Sequence, residues 1–543
     1  MPSFLYLSLD MKDLLKYILI PSLIVSLGSC AAGKKDLSEE EVAIQEELAS
    51  KFGNQEFLIY EKDTLLASKE VLDYYNDIEF APIWIGENEL TEKGEDMYAM
   101  VENARDFGLL PEMFDYSTLS KMKDSSLLDA EMILTNAFFL MSTHLSEGCI
   151  DSATYTYVWK KDELSYSITD DLDKVYLEST PASEVLISRQ PKNWEYQQLQ
   201  KGLVTFLDSF ALDTNHFSIP AFKEDSAICY QAANEALHKH GFLDSTERTN
   251  DSIFIARLQE FQLLNGLKDD AVVGKWTGRA LGKSNMDRFL QAALSMEKWK
   301  WKPDTLPEKY IRVNIPEFTL YFVDSNEVKR KHRVVVGAYT TQTPEFSAEM
   351  KRMVTNPFWH VPYSISSTEI LYGVKKDSSY LRKKGYKIFK NGVQQDAAQV
   401  DWSKIRQGSF PYKVRQDGGG GNSLGRLKFL FPNSNFVFIH DTPSKRLFNN
   451  DVRAYSHGCV RLDQPFDLGK AMLTADAHEV PADTLDSIIV RGQQRVLELN
   501  DPFMVYIEYY TATGDSSGNV VFHPDIYNRD IKYLENSFKK FID

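Results

Sequence analysis

Apolar residues recur every three or four positions through residues 56 to 220. Leu65-Leu66, Val71-Leu72, Tyr74-Tyr75, the stretch Met97 to Val101, and Ile133-Leu134, Ala137-Phe138 and Met141 carry the repeat. That spacing predicts a row of amphipathic helices, which Pro82, Pro111 and Pro181 separate. From about 221 to 285 the same period marks a smaller unit through Ala236-Leu237, Phe254, Leu258 and Phe261. It closes with the turn formers Asn265-Gly266 and Val272-Val273-Gly274 and a last helix from Trp276 to Leu281. At Tyr310 the pattern changes to strands. Ile311 to Asn314, Phe318 to Val323 and His332 to Gly337 follow one another across short turns, as in an antiparallel barrel or sandwich. His332 opens the third run behind basic residues and reads as a solvated strand end.

Tyr363 to about Gly425 interrupts the strands. It holds a helix-like stretch from Ser367 to Leu381, a segment Tyr412 to Gln416, and the glycine run Gly418 to Gly421, which suits a hinge. The apolar run Phe436-Val437-Phe438-Ile439 reads as a buried strand. Helices are expected at Phe466 to Ala475 and Leu485 to Leu497, a strand at Met504 to Tyr510, and a packed turn with an exposed helix at Asp525 to Asp543. The fold class is thus multidomain α+β. The expected parts are a signal segment 1–30, a solvated tether 31–55 that becomes helical toward Leu48, helices 56–220, a three-helix module 221–285, and a linker 286–309. A β-rich domain 310–515 with an insertion at about 363–425 and a tail 516–543 complete the chain.

Length agrees, since 543 residues exceed what one core serves. A formal net charge of −17 excludes nucleic acid as a general partner. At the start, Lys12 and Lys16 precede an apolar stretch, Tyr17 to Leu27, too short to span a bilayer comfortably. It ends Leu27-Gly28-Ser29-Cys30, which resembles the lipobox of bacterial lipoproteins. That resemblance implies cleavage before Cys30 and lipidation of its sulfur; an uncleaved anchor helix is the competing reading. Three cysteines then remain, Cys149, Cys229 and Cys459, at no framework spacing. Cys149 and Cys229 read as buried structural thiols.

The candidate chemistry lies in His440 to Leu462. His440 ends the apolar run, and a polar loop of turn formers leads to Ser456-His457-Gly458-Cys459 and then Val460-Arg461-Leu462. A cysteine attacks as thiolate, and a nearby imidazole supplies the base. Gly458 clears space beside the sulfur, and Arg461, two residues on, shares its face if the chain is extended. A cation there suits a carboxylate. A structural thiol near two histidines is the plain alternative. Zinc on His440, His457 and Cys459 is another, although no CxxC pair accompanies them.

These blocks resemble the L,D-transpeptidases of bacterial cell walls. The likeness extends through Asn422 to Arg426, Phe431-Pro432-Asn433 and His440-Asp441-Thr442-Pro443, as in the large multidomain members. Asn356-Pro357-Phe358-Trp359-His360-Val361-Pro362 fits the same pattern, with His360 where a small polar residue is commoner. Residues 221–285 resemble a peptidoglycan-binding module, and 56–220 the family's N-terminal scaffold. The resemblance implies that Cys459 is the nucleophile and His440 its base. Ser456, His457 and Gly458 would shape an oxyanion site, and Arg461, Trp359, Tyr412 and Arg426 would meet substrate. It further implies a lid at 363–425, peptidoglycan stem peptides as donor and acceptor, 3-3 crosslinks as product and carbapenems as covalent inhibitors. Neither metal nor cofactor is called for. Water as acceptor would make the enzyme an L,D-carboxypeptidase or a crosslink-cleaving amidase, and a non-catalytic wall-binding lipoprotein is the remaining alternative. The expected location is the periplasmic side of a membrane, the outer one in preference.

Overall fold

The computed structural model describes residues 35–60, 63–150, 167–303, 305–538 and 541. The signal segment and Cys30 lie outside the described residues. Among the described residues no helix is long and apolar enough to cross a membrane.

Helix α1 (Glu39–Phe52) starts at a capping box, in which Ser38 and Glu41 satisfy each other's backbone N–H groups. Ile44, Leu48 and Phe52 fall four residues apart and are buried. The tether, expected to become helical toward Leu48, is helical already from Glu39 and is docked through these residues. At the centre of the helical half, α2 (Leu127–Ser146) is buried along most of its length. It carries Glu131, whose carboxylate accepts from the Tyr75 hydroxyl at 2.6 Å, the Ile83 N–H at 2.6 Å and the Trp84 N–H at 3.0 Å. Burial raises its pKa to about 7. Glu131→Ala takes the acceptor from the buried Ile83 and Trp84 N–H groups, so unfolding in urea should show a loss of about 3 kcal/mol. The raised value means that the stability from this carboxyl is full below pH 4.5 and is lost as pH climbs through about 7. A variant within about 0.5 kcal/mol of the parent would refute the assignment.

After α3 (Trp194–Ser209) come the three helices of the small module, α4 (Ser226–Lys239), α5 (Asp251–Leu264) and α6 (Lys275–Leu281). Their core joins Cys229, Ala233, Leu237, Leu258, Phe261 and Leu281. Residues 286–309 were expected to form a linker. Instead α7 (Asn285–Lys300) is a helix buried on every side. Asn285 donates to the carbonyls of Ala211 and His240, and Arg288 to those of Ala280 and Lys283. Gln291 donates to the carbonyls of Thr511 and His523, Lys298 pairs with Asp530 at 2.9 Å, and Lys300 pairs with Glu297 at 2.5 Å. The tail is built into this contact: a hairpin of Ala512–Gly514 and Val520–Phe522 and the helix Asp530–Ser537 lie against α7.

The β-rich half is a nine-stranded sheet. Its strands are β1 (Lys309–Asn314), β2 (Thr319–Asp324), β3 (Glu327–Gly337), β4 (Phe346–Thr355), β9 (Leu427–Leu430), β10 (Ile439–His440), β11 (Ala454–Ser456), β12 (Val460–Leu462) and β13 (Arg495–Glu508). The order is β11-β3-β12-β10-β9-β4-β13-β1-β2, and β2 pairs back onto β3, which closes the sheet into a barrel. The first three strands are antiparallel as expected. The whole is mixed, because β1 runs parallel to β13 and β10 parallel to β12. Three local expectations change. Residues 485–497 split into a short helix, Leu485–Val490, and the start of β13. Only Ile439 of the apolar run 436–439 enters a strand, since Phe436 adopts a left-handed φ of 55° and is 84% exposed. His332 is 4% exposed rather than solvated.

Candidate functional site

Alternation along β9, β10 and β12 sorts their side chains. Leu427, Phe429, Ile439, Val460 and Leu462 point into the barrel core. The residues between them face outward. Register then lines up Lys428, His440 and Arg461, because Lys428 pairs with His440 and His440 with Arg461. One step back, the N–H of Val460 donates to the carbonyl of Phe438 at 3.1 Å, which sets Phe438 abreast of Cys459. Cys459 therefore lies one diagonal step from His440 on the same outer face.

The turn before the cysteine is held from both sides. Gly458 sits at φ 108°, a conformation that disfavours any side chain. The Ser456 hydroxyl accepts from the Gly458 N–H at 3.1 Å and donates to the Cys459 carbonyl at 2.5 Å. Thr343 donates to the Gly458 carbonyl at 2.8 Å and accepts from the Gly337 N–H at 2.9 Å. Tyr527 in turn donates to the Gly337 carbonyl at 2.6 Å. Ser456 is thus a brace for the loop. The Gly458 N–H, expected to face an oxyanion, is engaged by it. Among the described residues nothing accepts from the N–H of Cys459, which leaves that donor for a developing oxyanion.

The thiol of Cys459 makes a weak contact with the Phe436 carbonyl at 3.9 Å. Burial raises its pKa, while the Phe438 backbone, Lys428 and Arg461 pull it down. His440 is 5% exposed and its Nδ1 lies 2.5 Å from the Asp441 carbonyl. A carbonyl only accepts, so Nδ1 carries the proton in the neutral ring and Nε2 keeps a lone pair. Burial first, and then Arg461 and Lys428, push His440 down to about 3. Asp441 holds the loop behind it, accepting from the N–H groups of Arg426 and Thr442 and from Lys445 at 2.8 Å. Among the described residues no group of three or more His, Cys, Asp or Glu is placed to hold a metal.

The insertion, expected as a lid, is a folded unit of its own. Strands β5 (Trp359–Val361), β6 (Tyr386–Lys390), β7 (Val393–Gln395) and β8 (Lys413–Gln416) form a sheet of order β5-β8-β6-β7. Ile370, Leu371, Leu381, Ile388, Trp402 and Val414 give it a core of its own. Trp359 and Tyr412, expected against substrate, pack within the lid. Trp359 lies on Tyr386 at 6.2 Å, and Tyr412 lies on Trp402 at 5.7 Å. His360 is exposed on β5, across from Arg415. The glycine run is less of a hinge than expected. A side chain at Gly418 would strike the Asn356 carbonyl, and the Asn422 amide ties the run to the carbonyls of Pro357 and Asp417. Arg426 is exposed, with its guanidinium against Gly420. His457 turns outward, where its Nε2 pairs with Glu369 in the lid turn Ser366–Ile370.

Residues 308–480 match the L,D-transpeptidase catalytic domain, and residues 69–203 match a scaffold domain. The chain carries an L,D-transpeptidase catalytic domain. A Haemophilus influenzae protein named for L,D-transpeptidase activity is 33% identical over 222 residues, which are 40% of this chain and 44% of that protein. This chain thus spans under half the length of that relative. Two solved structures are similar at greater distance. An Enterococcus faecium L,D-transpeptidase mutant is 12% identical, over 38% of this chain and 52% of that one, with a TM-score of 0.18. A Mycobacterium smegmatis L,D-transpeptidase is 14% identical, over 38% and 61%, also with a TM-score of 0.18. Cys459, His440, Lys428, Arg461 and the lid all fall within the matched L,D-transpeptidase segment.

Proposed function

We propose that this chain is a membrane-anchored, cysteine-dependent L,D-transpeptidase that joins peptidoglycan stem peptides by 3-3 crosslinks. The observation that carries this reading is a half-buried thiol and a histidine whose Nδ1 gives its proton to a carbonyl, one diagonal step apart on one barrel face inside the matched domain. As Cys459 Sγ bonds to the carbonyl carbon of the donor diaminopimelate, its proton passes to His440 Nε2. His440 returns that proton to the leaving nitrogen, and D-alanine departs. An amine of a second stem then attacks the thioester and frees the thiol. The Cys459 N–H faces the oxyanion, and Arg461 suits a stem carboxylate. The anchor is lipidated Cys30, facing the periplasm.

Mass spectrometry of muropeptides incubated with the chain lacking residues 1–30 tests the reading. Crosslinked dimers with release of D-alanine are expected. Tripeptide alone, with acceptor stems in excess, would replace it by the carboxypeptidase reading. The folded lid favours transfer, since a thioester left open to water hydrolyses. Trp402→Ala removes the largest ring of the lid core. Carbapenem adduct on Cys459 should stay within about threefold of the parent, while crosslinking falls about tenfold and tripeptide rises. An unchanged ratio of transfer to hydrolysis would show that the lid does not select the acceptor.

A further inference from the structure

His440 stands between two cations, Lys428 on one side and Arg461 on the other. Its Nδ1–H is already given to the Asp441 carbonyl. The Asp441 carboxylate is turned back to Arg426, Thr442 and Lys445. A protonated imidazole would be a third positive charge in that row, with no carboxylate beside it. It is therefore a poor standing partner for a thiolate, although a thiolate in a covered site requires a nearby positive charge.

Lys428 meets that requirement. It lies on the outer face of β9, and its ammonium is 3.6 Å from the centroid of the Phe438 ring. Phe438 is abreast of Cys459, so the ring holds the ammonium on the face that Cys459 shares. Burial works against the charge on Lys428, and the thiol of Cys459 works in its favour. Cys459 shares its face with Lys428 on β9, His440 on β10 and Arg461 on β12, while His457, from the loop before it, turns outward to lid residue Glu369.

We propose that Lys428 is the counter-charge of the Cys459 sulfur as it ionises, with Arg461 second, and that His440 is neutral except while it carries the proton in transit. This rests on the reading of Cys459 as nucleophile. Lys428 neither gains nor loses a proton in the cycle. It is a positioning residue that fixes the pH at which the thiol becomes reactive.

The test is the pH dependence of iodoacetamide alkylation of the full chain, with the adduct on Cys459 read by peptide mass spectrometry so that other thiols do not interfere. Lys428→Met should move the half-reaction pH up by about one unit or more, which is about tenfold slower alkylation at pH 7. Lys428→Arg should restore it to within about half a unit. His440→Asn should leave the alkylation profile in place while carbapenem acylation collapses. A Lys428→Met profile that superposes on the parent overturns the proposal. So does a His440→Asn profile displaced as far as that of Lys428→Met, because imidazolium would then be the counter-ion. Should Lys428→Met fail to fold by near-ultraviolet circular dichroism, Lys428→Gln against Lys428→Arg puts the same question with polar side chains. A parent chain that alkylates at Cys459 yet forms no carbapenem adduct removes the functional reading, and the lysine result still stands or falls on its own profile.

Discussion

Cys459→Ala should form no carbapenem adduct and no crosslinked muropeptide, with acyl transfer down on the order of 10⁴-fold or more. No other group at the site can replace the sulfur. Ser456 is committed to Gly458 and to the Cys459 carbonyl, and Thr343 to Gly337 and the Gly458 carbonyl. The other two described thiols are ill suited to attack. Cys229 is fully buried in the three-helix module, and the Cys149 thiol is pushed up by burial and by Glu297. The side chain of Cys459 is half-buried and makes one weak polar contact, so its truncation should shift the melting midpoint by no more than about 2 °C. Carbapenem adduct persisting on the variant would remove Cys459 from the mechanism. The matching Cys149→Ala and Cys229→Ala chains should keep full acylation.

Gly425→Ala is expected to have the second largest effect without touching a reacting atom. Gly425 sits at φ 62°, and a Cβ there would press into the Asp441 carboxylate. That carboxylate holds the N–H groups of Arg426 and Thr442 and the ammonium of Lys445. The Asp441 carbonyl, on the same residue, sets the tautomer of His440. Pushing Asp441 aside therefore misplaces the base. A displacement of about 1 Å can cost about 10²-fold, so acylation should fall by about that factor, with about 1–2 kcal/mol of stability lost to the left-handed backbone. Acylation within twofold of the parent would show that the Asp441 loop does not position His440.

The two hydrophobic periods made most of the architecture legible. Period 3.6 located the helical half and the small module, and period 2 located β1, β2 and β3. The reading failed where burial was not apolar. In α7 the buried positions include Gln291, Ser295, Glu297, Lys298 and Lys300, so an interior helix resembled a spacer. Partners such as the carbonyls of Thr511 and His523 lie more than two hundred residues away in sequence and leave no local trace. The site shows the same division. Cys459, His440 and Arg461 stand in one quotable motif. Lys428 does not, although Leu427 and Phe429 on either side of it carry the alternation that turns it outward. Its relation to His440 is a matter of strand register, which the linear pattern does not give. Thr343 and Glu369 reach the motif from 115 and 88 residues away, Tyr527 braces it through Gly337, and Trp359 and Tyr412 pack within the lid.

The helical half keeps part of its interior at the opposite end of the polypeptide. Tyr510, Ala512, Val520, Phe522 and Phe538 share one apolar core with Trp84, Phe138, Leu203 and Trp299. A nascent chain that leaves a ribosome amino end first cannot complete that core until residues 510 to 538 follow. Gln291 waits 220 residues for the carbonyl of Thr511. The unfinished surface is apolar and so offers chaperones something to hold while synthesis is completed. A premature stop between 510 and 538 would therefore damage the first half of the protein more than the barrel beside which it falls.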